Sequence, residues 1–167
     1  MLARKHVLIA MGILIAASAL VLALTQKPTA PNISFTTLDG RQVALQSLRG
    51  KVVLVNFWAT SCPGCVKEMP QIIDTYRKFN ARGLEVIAVA MSYDPPEYVQ
   101  NYARQRDLPF MVALDATGEA AKAFNQVKLT PTTFVIDREG HIIQQTLGEL
   151  DFAKLATLLE QTLGGAT

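Results

Sequence analysis

The chain has 167 residues, of which 50% are hydrophobic and 18% are charged, which suits one domain with a substantial core and excludes a disordered chain. Two cysteines exclude a disulfide-dense scaffold, and with two separated histidines they fit no zinc-binding spacing. Of the 16 basic residues, Arg4 and Lys5 come first, and the other 14 equal the 14 acidic residues in number. This balance indicates no basic patch of the kind that binds phosphate, so no nucleic-acid partner is expected.

Residues 7–24 form an apolar run of 18 residues without a charge. As a helix this run would span about 27 Å, which is close to the hydrocarbon thickness of a bilayer. Because Arg4 and Lys5 precede it, the positive-inside rule leaves residues 1–6 in the cytoplasm and the rest of the chain outside. We therefore predict one transmembrane anchor. The alternative is a cleaved signal peptide, whose apolar region is shorter, usually about 7–15 residues.

The residues after this run predict a short linker followed by a domain that begins with a hairpin. Residues 25–32 contain two prolines and lack apolar periodicity, which is typical of a linker. Residues 33–45 alternate around a Leu-Asp-Gly-Arg turn at 38–41, which predicts a β-hairpin. Residues 51–58 are nearly all apolar and predict a strand that is buried on both faces.

The rest of the domain, which we assign to residues 33–167, alternates strands with helices. A helix after the cysteine segment is predicted to end at Gly83, and another begins at Asp94 in a capping-box-like segment and ends near Arg106. The remaining elements are strands at 84–91, 110–114, 132–136 and 141–147, a helix at 116–124 and a last helix capped by Asp151. This order predicts an α/β domain with a mixed central sheet flanked by helices.

The two cysteines stand in Cys62-Pro63-Gly64-Cys65, after a predicted buried strand and at the start of an amphipathic helix. Pro63 suits the first helical position, which puts Cys62 at the helix N-terminus, where free N–H groups and the helix dipole favour a negative charge. Such a placement lowers the pKa of a free cysteine from its usual value of about 8.5, and the thiolate is the species that attacks a disulfide. Cys65 follows one turn later, so the pair is predicted to cycle between dithiol and disulfide.

Other functions of a Cys-x-x-Cys pair stay open at this point. A metal site would need two further ligands, and His6 and His141 are far from the pair along the chain. A structural disulfide across so short a loop removes little chain entropy. A peroxide-reducing cysteine is the main enzymatic alternative, and a copper-binding module is a non-enzymatic one.

The segment FWATSCPGC at residues 57–65 resembles the active-site segment of thioredoxins. Glu68-Met69-Pro70 and Thr130-Pro131-Thr132-Thr133 extend the similarity. With the predicted anchor and an insertion before the strand at 110–114, the chain resembles the TlpA/ResA-type membrane-anchored thioredoxin-like proteins from residue 33 to residue 163. The resemblance implies a thioredoxin-like fold with an N-terminal β-hairpin and a thiol-disulfide oxidoreductase activity.

The resemblance also implies a role for each residue that matches the family's motif. Cys62 would be the attacking cysteine, and Cys65 would be the buried cysteine that resolves the mixed disulfide. Pro131 would be a cis-proline that faces the cysteine pair. The backbone of Thr130 would then pair with an extended client segment beside Cys62.

The chain departs from the thioredoxin pattern in the residues around the pair. Thioredoxins carry a buried acid in the strand before the motif, where this chain has Asn56. Glu68, one helical turn after Cys65, matches an acid of the ResA-type relatives and is expected to act as a base with a pKa raised by burial; a solvated helix carboxylate is the alternative. Ser61 stands where many relatives have a second Trp, and we expect it at the client-binding surface together with Trp58, which would pack beneath the site.

Pro63 and Gly64 offer no side-chain donor to a thiolate, which favours a reductant over an oxidase or isomerase that makes disulfides. The chain has no flavin or nucleotide motif, so no cofactor is expected, and electrons would come from a membrane thiol transporter. The resemblance implies a CcdA/DsbD-type donor, and disulfide clients such as apocytochrome c or copper-site assembly proteins. It places the protein in the bacterial cytoplasmic membrane, with its domain facing the periplasm or extracytoplasmic space.

Overall fold

A computed structural model of the chain describes residues 27–164, together with Met11, Ala17 and Ser18. Within that part the strands are β1 (Ser34–Thr36), β2 (Gln42–Ala44), β3 (Val52–Trp58), β4 (Leu84–Ala90), β5 (Met111–Leu114), β6 (Thr132–Ile136) and β7 (Ile142–Leu147). The α-helices are α1 (Pro63–Phe79), α2 (Pro96–Gln105), α3 (Glu119–Ala123) and α4 (Phe152–Gly164). Short 3-10 helices cover Leu45–Leu48 and Asn80–Arg82.

Five strands form a central sheet in the order β5-β4-β3-β6-β7, while β1 and β2 pair in a separate antiparallel hairpin. β3, β4 and β5 are parallel to one another, since the helices between them carry the chain back across the sheet. β6 runs antiparallel to β3, and β7 runs antiparallel to β6. The mixed sheet, the N-terminal hairpin and the helical insertion before β5 are therefore confirmed.

Apolar layers cover both faces of the sheet, which is why every side chain of β3 is buried. On one face, Met69 of α1 and Leu155 of α4 pack against β3 and β4. On the other face, Phe35 of the hairpin and Phe124 after α3 pack against the same strands. Full burial of each such side chain contributes about 1.5–3 kcal/mol, so both layers hold the sheet and its connecting segments in place.

The topology brings three connecting segments to one edge of the sheet. β3 ends at Trp58 beside the end of β4 at Ala90, because the two strands are parallel and in register there. β6 begins with Thr132 opposite Phe57, because it runs antiparallel to β3. The segments that follow β3, follow β4 and precede β6 therefore lie together, and α1 begins among them.

The start of α3 differs from the prediction of a helix at 116–124. The helix begins at Glu119, because Gly118 before it has a left-handed φ of 75° and belongs to a turn. The carboxylate of Asp115 accepts hydrogen bonds from the N–H groups of Ala120 and Ala121, each at 2.9 Å. A side chain upstream of the turn therefore satisfies donors at the helix N-terminus.

The N-terminal predictions fall partly outside the described residues. Residues 28–30 of the predicted linker pair with the start of β7 and the residues just before it, through hydrogen bonds from Ala30 N to Gly140 O at 2.9 Å and from Ile142 N to Pro28 O at 2.7 Å. The predicted anchor at 7–24 and residues 1–6 lie outside the described residues, apart from the three positions named above. Among the described residues, no helix combines the length and the apolar character needed to cross a membrane.

Candidate active site

Cys62 and Cys65 form a disulfide at the N-terminus of α1, with their Cα atoms 5.3 Å apart. Cys62 is the N-cap residue and Pro63 holds the first helical position, as the sequence predicted. The Sγ atom of Cys62 accepts a hydrogen bond from the backbone N–H of Cys65 at 3.2 Å. Cys62 is half-buried whereas Cys65 is 0% exposed, so Cys62 is the cysteine that a partner protein can reach.

Pro131 packs against the turn between the two cysteines. The Thr130–Pro131 peptide bond is cis, as the resemblance implied. A Cβ atom placed on Gly64 would lie 3.7 Å from Pro131 Cδ and 3.5 Å from Glu149 Cγ. Thr130 is half-buried beside Pro131, and its hydroxyl lies 3.3 Å from Tyr93 Oη. The structure thus brings Thr130 and Pro131, which directly precede β6, next to the cysteine pair that follows β3.

Glu68 is 2% exposed, so the alternative of a solvated helix carboxylate is wrong. Its Oε1 atom accepts a hydrogen bond from Asn56 Nδ2, and its Oε2 atom accepts one from the backbone N–H of Leu150, each at 3.1 Å. Asn56 Nδ2 also donates to Thr133 Oγ1 at 2.9 Å. Within residues 27–164, the Oδ1 atom of Asn56 is buried without a hydrogen-bond partner. Asn56 therefore connects the acid of α1 to β6.

Burial raises the pKa of Glu68 above its ordinary value of 4.5, because the ionised carboxylate loses its hydration. The hydrogen bonds from Leu150 and Asn56 favour the charged form and lower the pKa by less. The negative charge of Glu149 raises it further. Glu68 therefore retains its proton at a higher pH than a surface glutamate does.

The two other residues predicted at the client-binding surface lie in different environments. Ser61 is exposed directly before Cys62. Trp58 is 0% exposed and packs against Tyr102 of α2, with the ring centroids 5.1 Å apart. A side chain without exposed surface cannot contact a client, so Trp58 supports the site from beneath. Tyr93 and Leu129 are 56% and 62% exposed and flank the site on the segments that precede α2 and β6.

Asp94 belongs to the site, and its predicted role as the cap of α2 is wrong. α2 follows Pro95 as its N-cap residue, and the cap makes no side-chain hydrogen bond. Asp94 is 5% exposed, and its two carboxylate oxygens accept from the backbone N–H and the hydroxyl of Thr60, each at 2.6 Å. Adjacent parallel strands place the segments that follow them side by side. Applied to the predicted strands at 51–58 and 84–91, this rule could have predicted the contact between Thr60 and Asp94.

A separate cluster of potential metal ligands lies at the other end of β6. Ligand atoms of Asp137, Glu139 and His141 lie within 4.8 Å of one another. Asp137 Oδ1 accepts a hydrogen bond from the His141 backbone N–H at 2.8 Å, and Asp137 Oδ2 lies 3.5 Å from Lys27 Nζ. These contacts account for the cluster as part of the β6–β7 turn.

The arrangement around the cysteine pair is suited to thiol-disulfide exchange. An accessible Cys62 at a helix N-terminus can form a mixed disulfide with a partner, since the thiolate is favoured there. Cys65 is buried one turn later and already bonded to Cys62, so it is placed to displace the partner. Glu68 is a buried acid on the same helix, one turn after Cys65.

Comparisons with known proteins agree with this chemistry. The sequence model of the Redoxin family matches residues 25–159. The thiol-disulfide oxidoreductase ResA of Bacillus thuringiensis subsp. konkukian is 39% identical over 132 residues, which cover 79% of this chain and 75% of that protein. ResA of Bacillus subtilis is 31% identical over 128 residues, which cover 77% of this chain and 70% of that protein.

A solved structure shows the same fold. The crystal structure of a thiol:disulfide interchange protein of the thioredoxin family from Chlorobium tepidum superposes with a TM-score of 0.76 at 30% sequence identity. The superposition covers 84% of this chain and 99% of that chain, so the thioredoxin-like fold extends over the whole described domain. The chain therefore belongs to the Redoxin family, and within it to the ResA-type thiol-disulfide oxidoreductases.

Proposed function

We propose that the protein is a membrane-tethered, extracytoplasmic reductase of specific client disulfides, such as those of apocytochrome c or of copper-site assembly proteins. The observation that carries this proposal is the half-buried Cys62 at the N-terminus of α1, bonded to a fully buried Cys65 and flanked by Pro131. One sulfur is open to a partner protein while the other is enclosed, which is the asymmetry that two successive exchange steps require.

The reaction consists of two thiol-disulfide exchanges. In the reduced protein, the Cys62 thiolate attacks one sulfur of the client disulfide, and the other client sulfur leaves as a thiolate. Cys65 then loses its proton and attacks the Sγ atom of Cys62, which breaks the mixed disulfide and releases the second client thiolate. The client gains two electrons, and the Cys62–Cys65 disulfide forms.

Glu68 is proposed to act as the base for Cys65 in the second step. Its position one helical turn after Cys65 and its raised pKa support this role, because a base with a pKa nearer to neutrality both accepts and returns a proton readily. The donors Asn56 and Leu150 hold its two oxygens in place.

The direction of electron flow is proposed from the donors available to Cys62. The backbone N–H of Cys65 supplies a hydrogen bond to its sulfur, and neither Pro63 nor Gly64 carries a side-chain donor. A strong disulfide oxidant owes its potential to extra stabilisation of the attacking thiolate, which shows as a very low cysteine pKa. The Cys62 thiolate is therefore expected to be stabilised less than that of a strong oxidant, which favours a reductase over an oxidase.

The membrane tether and the electron donor are proposed from the sequence and the family. The apolar run at 7–24 after Arg4 and Lys5 would hold the domain at the outer face of the bacterial cytoplasmic membrane. Each turnover leaves the Cys62–Cys65 pair as a disulfide, which must be reduced again. The compartment outside the membrane is oxidising, so the electrons must come from a dedicated donor. A CcdA/DsbD-type membrane thiol transporter is the proposed source of electrons, and tethering raises its effective concentration near the domain.

The experiment that tests the direction is the reduction potential of the Cys62–Cys65 pair, measured by equilibrating the full-length chain in detergent with glutathione buffers. Thioredoxin-type reductants lie near about −270 mV and the oxidant DsbA near about −120 mV. We expect a value below about −220 mV. A value above about −160 mV would contradict the reductase and indicate a protein that makes disulfides. A Cys62→Ser variant, which cannot form the pair, gives the baseline.

A further inference from the structure

The segment at residues 92–95, between β4 and α2, touches both sides of the disulfide site. Asp94 of this segment binds Thr60, which lies two residues before Cys62. Tyr93 next to it binds Thr130, which lies directly before Pro131. One short segment therefore contacts both the turn that delivers the attacking cysteine and the segment proposed to pair with the client. We call residues 92–95 the bridging segment.

Asp94 holds Thr60 through two hydrogen bonds, and we call this pair of hydrogen bonds the clamp. Both carboxylate oxygens are used, one on the Thr60 backbone N–H and one on its hydroxyl, each at 2.6 Å. Hydrogen bonds to a charged acceptor are stronger than neutral ones, and Asp94 is only 5% exposed, so water competes little for its oxygens. Two anchored points on one residue restrict both the position and the rotation of the Thr60 peptide.

The clamp acts on a tight turn that ends at Cys62. The backbone N–H of Cys62 donates to the carbonyl oxygen of Ala59 at 3.1 Å, so Thr60 is an interior residue of that turn. On the other side of the bridging segment, the backbone N–H of Asp94 donates to Met91 O at 2.9 Å, and Met91 N donates to Trp58 O at 3.0 Å. The turn is thereby fixed to the end of β4 as well as to the end of β3.

We propose that Asp94 is a positioning residue, which holds the Cys62 turn at the correct distance from the Thr130–Pro131 segment so that an extended client can engage both at once. Tyr93 completes the bridge to Thr130. The proposal rests on disulfide exchange at Cys62 and is independent of the direction of electron flow. The value of the reduction potential therefore neither supports nor contradicts the role of Asp94.

Two kinds of disulfide substrate distinguish positioning from general damage. A peptide with an intramolecular Cys-x-x-Cys disulfide has a backbone that can pair with Thr130, whereas dithiodipyridine has none and needs only access to Cys62. We expect Asp94→Ala to lower the second-order rate of peptide reduction by about 10-fold, since a small displacement of a reacting group costs that much or more. The rate with dithiodipyridine should change by less than about 2-fold.

Three further variants separate geometry from charge and from stability. Asp94→Asn retains an oxygen for the Thr60 N–H and an amide N–H for the Thr60 hydroxyl, so it should restore most of the peptide rate. Thr60→Val removes one of the two hydrogen bonds at nearly constant shape and should give an intermediate loss. Asp115→Ala is the matched control, because Asp115 is also 5% exposed and also accepts two hydrogen bonds, but it caps α3.

The outcomes are decisive in both directions. A selective loss of the peptide rate in Asp94→Ala, with recovery in Asp94→Asn and no selectivity in Asp115→Ala, supports the proposal. An equal loss with both substrates, an unchanged peptide rate, or the same loss in Asp94→Asn overturns it. If Asp94→Ala does not fold, Thr60→Val decides alone, since it leaves the carboxylate bound to the Thr60 N–H. An unchanged ratio of the two rates in that variant then rejects the role of the clamp.

Discussion

Glu68 is a carboxylic acid of α1 that folding buries, and two donors, Asn56 Nδ2 and the Leu150 N–H, contact its oxygens. Desolvation raises its pKa more than these donors lower it. Its protonated form is therefore favoured by the folded state, and this preference links the stability of the domain to pH.

The first prediction concerns the stability of Glu68→Gln. Because the pKa of Glu68 is higher in the folded state than in the unfolded state, its stabilising contribution is fully present below the unfolded value of 4.5. That contribution is lost as the pH rises through the folded pKa. We expect the free energy of unfolding of the variant, relative to that of the wild type, to rise as the pH increases above 4.5, measured by urea unfolding at a series of pH values.

Asn56 makes this substitution tolerable. If its amide turns over, Oδ1 accepts from the new glutamine amide and from the Thr133 hydroxyl, in place of the two bonds that Nδ2 donates now. The exposed Glu97 on α2 provides the control variant, Glu97→Gln, which makes the same chemical change at a surface position. If the free energies of unfolding of the wild type and Glu68→Gln differ by the same amount at every pH measured, the assignment of a raised pKa to Glu68 is contradicted.

At the level of single elements, α3 has only five residues and depends on a side chain outside it. A helix this short gains little from its own backbone hydrogen bonds. Asp115 supplies acceptors for the N–H groups of Ala120 and Ala121, and both alanines are buried against the sheet. The carboxylate therefore holds the helix in place on the face opposite α1.

The second prediction follows from that contact. Asp115→Ala leaves two N–H donors at the start of α3 without a protein acceptor, and we expect it to lower the free energy of unfolding by about 1–2 kcal/mol. Thermal or urea unfolding measures this change. Asp115→Asn, which retains one acceptor oxygen, should lose less. A full loss in the asparagine variant would show that the charge matters rather than the capping bonds.

The whole molecule combines a thioredoxin-like domain with an N-terminal run that the sequence predicts to be a membrane anchor. Residues 28–30 lie along the segment before β7, so the chain leaves the domain at the end of β6 that carries Asp137. The cysteine pair lies at the opposite end of β6, where Pro131 precedes the strand. An anchor joined at residue 28 would leave the disulfide site away from the point of attachment.

The third prediction tests this arrangement in cells. We expect the full-length protein to remain with the membrane fraction after alkaline carbonate washing, and a variant in which a cleavable export signal replaces residues 1–24 to be released. A cysteine-reactive reagent that does not cross membranes should label the reduced Cys62 of the intact protein in whole spheroplasts. If cells that express the whole chain release a shortened protein on carbonate washing, residues 7–24 act as a cleaved leader and not as an anchor.

Most of the secondary structure was predictable from local pattern, because buried strands such as β3 and amphipathic helices such as α1 show their periodicity directly in the sequence. The boundaries of α3 were less accurate, since its start depends on Asp115 and the conformation of Gly118 rather than on periodicity. The cysteine chemistry was also predictable, because it depends on residues that are adjacent along the chain and on the helix that follows them.

The rest of the site required the tertiary structure. Asp94 meets Thr60 across 34 positions of sequence, and Glu68 meets Leu150 across 82. No local pattern reports such pairs, because they form only after strand order and direction are set. The sequence by itself therefore determined the fold class, the redox pair and its place on α1. The contacts of Glu68 with Asn56 and Leu150, and the assembly of three separate segments around the disulfide, were decided by the packing of the sheet.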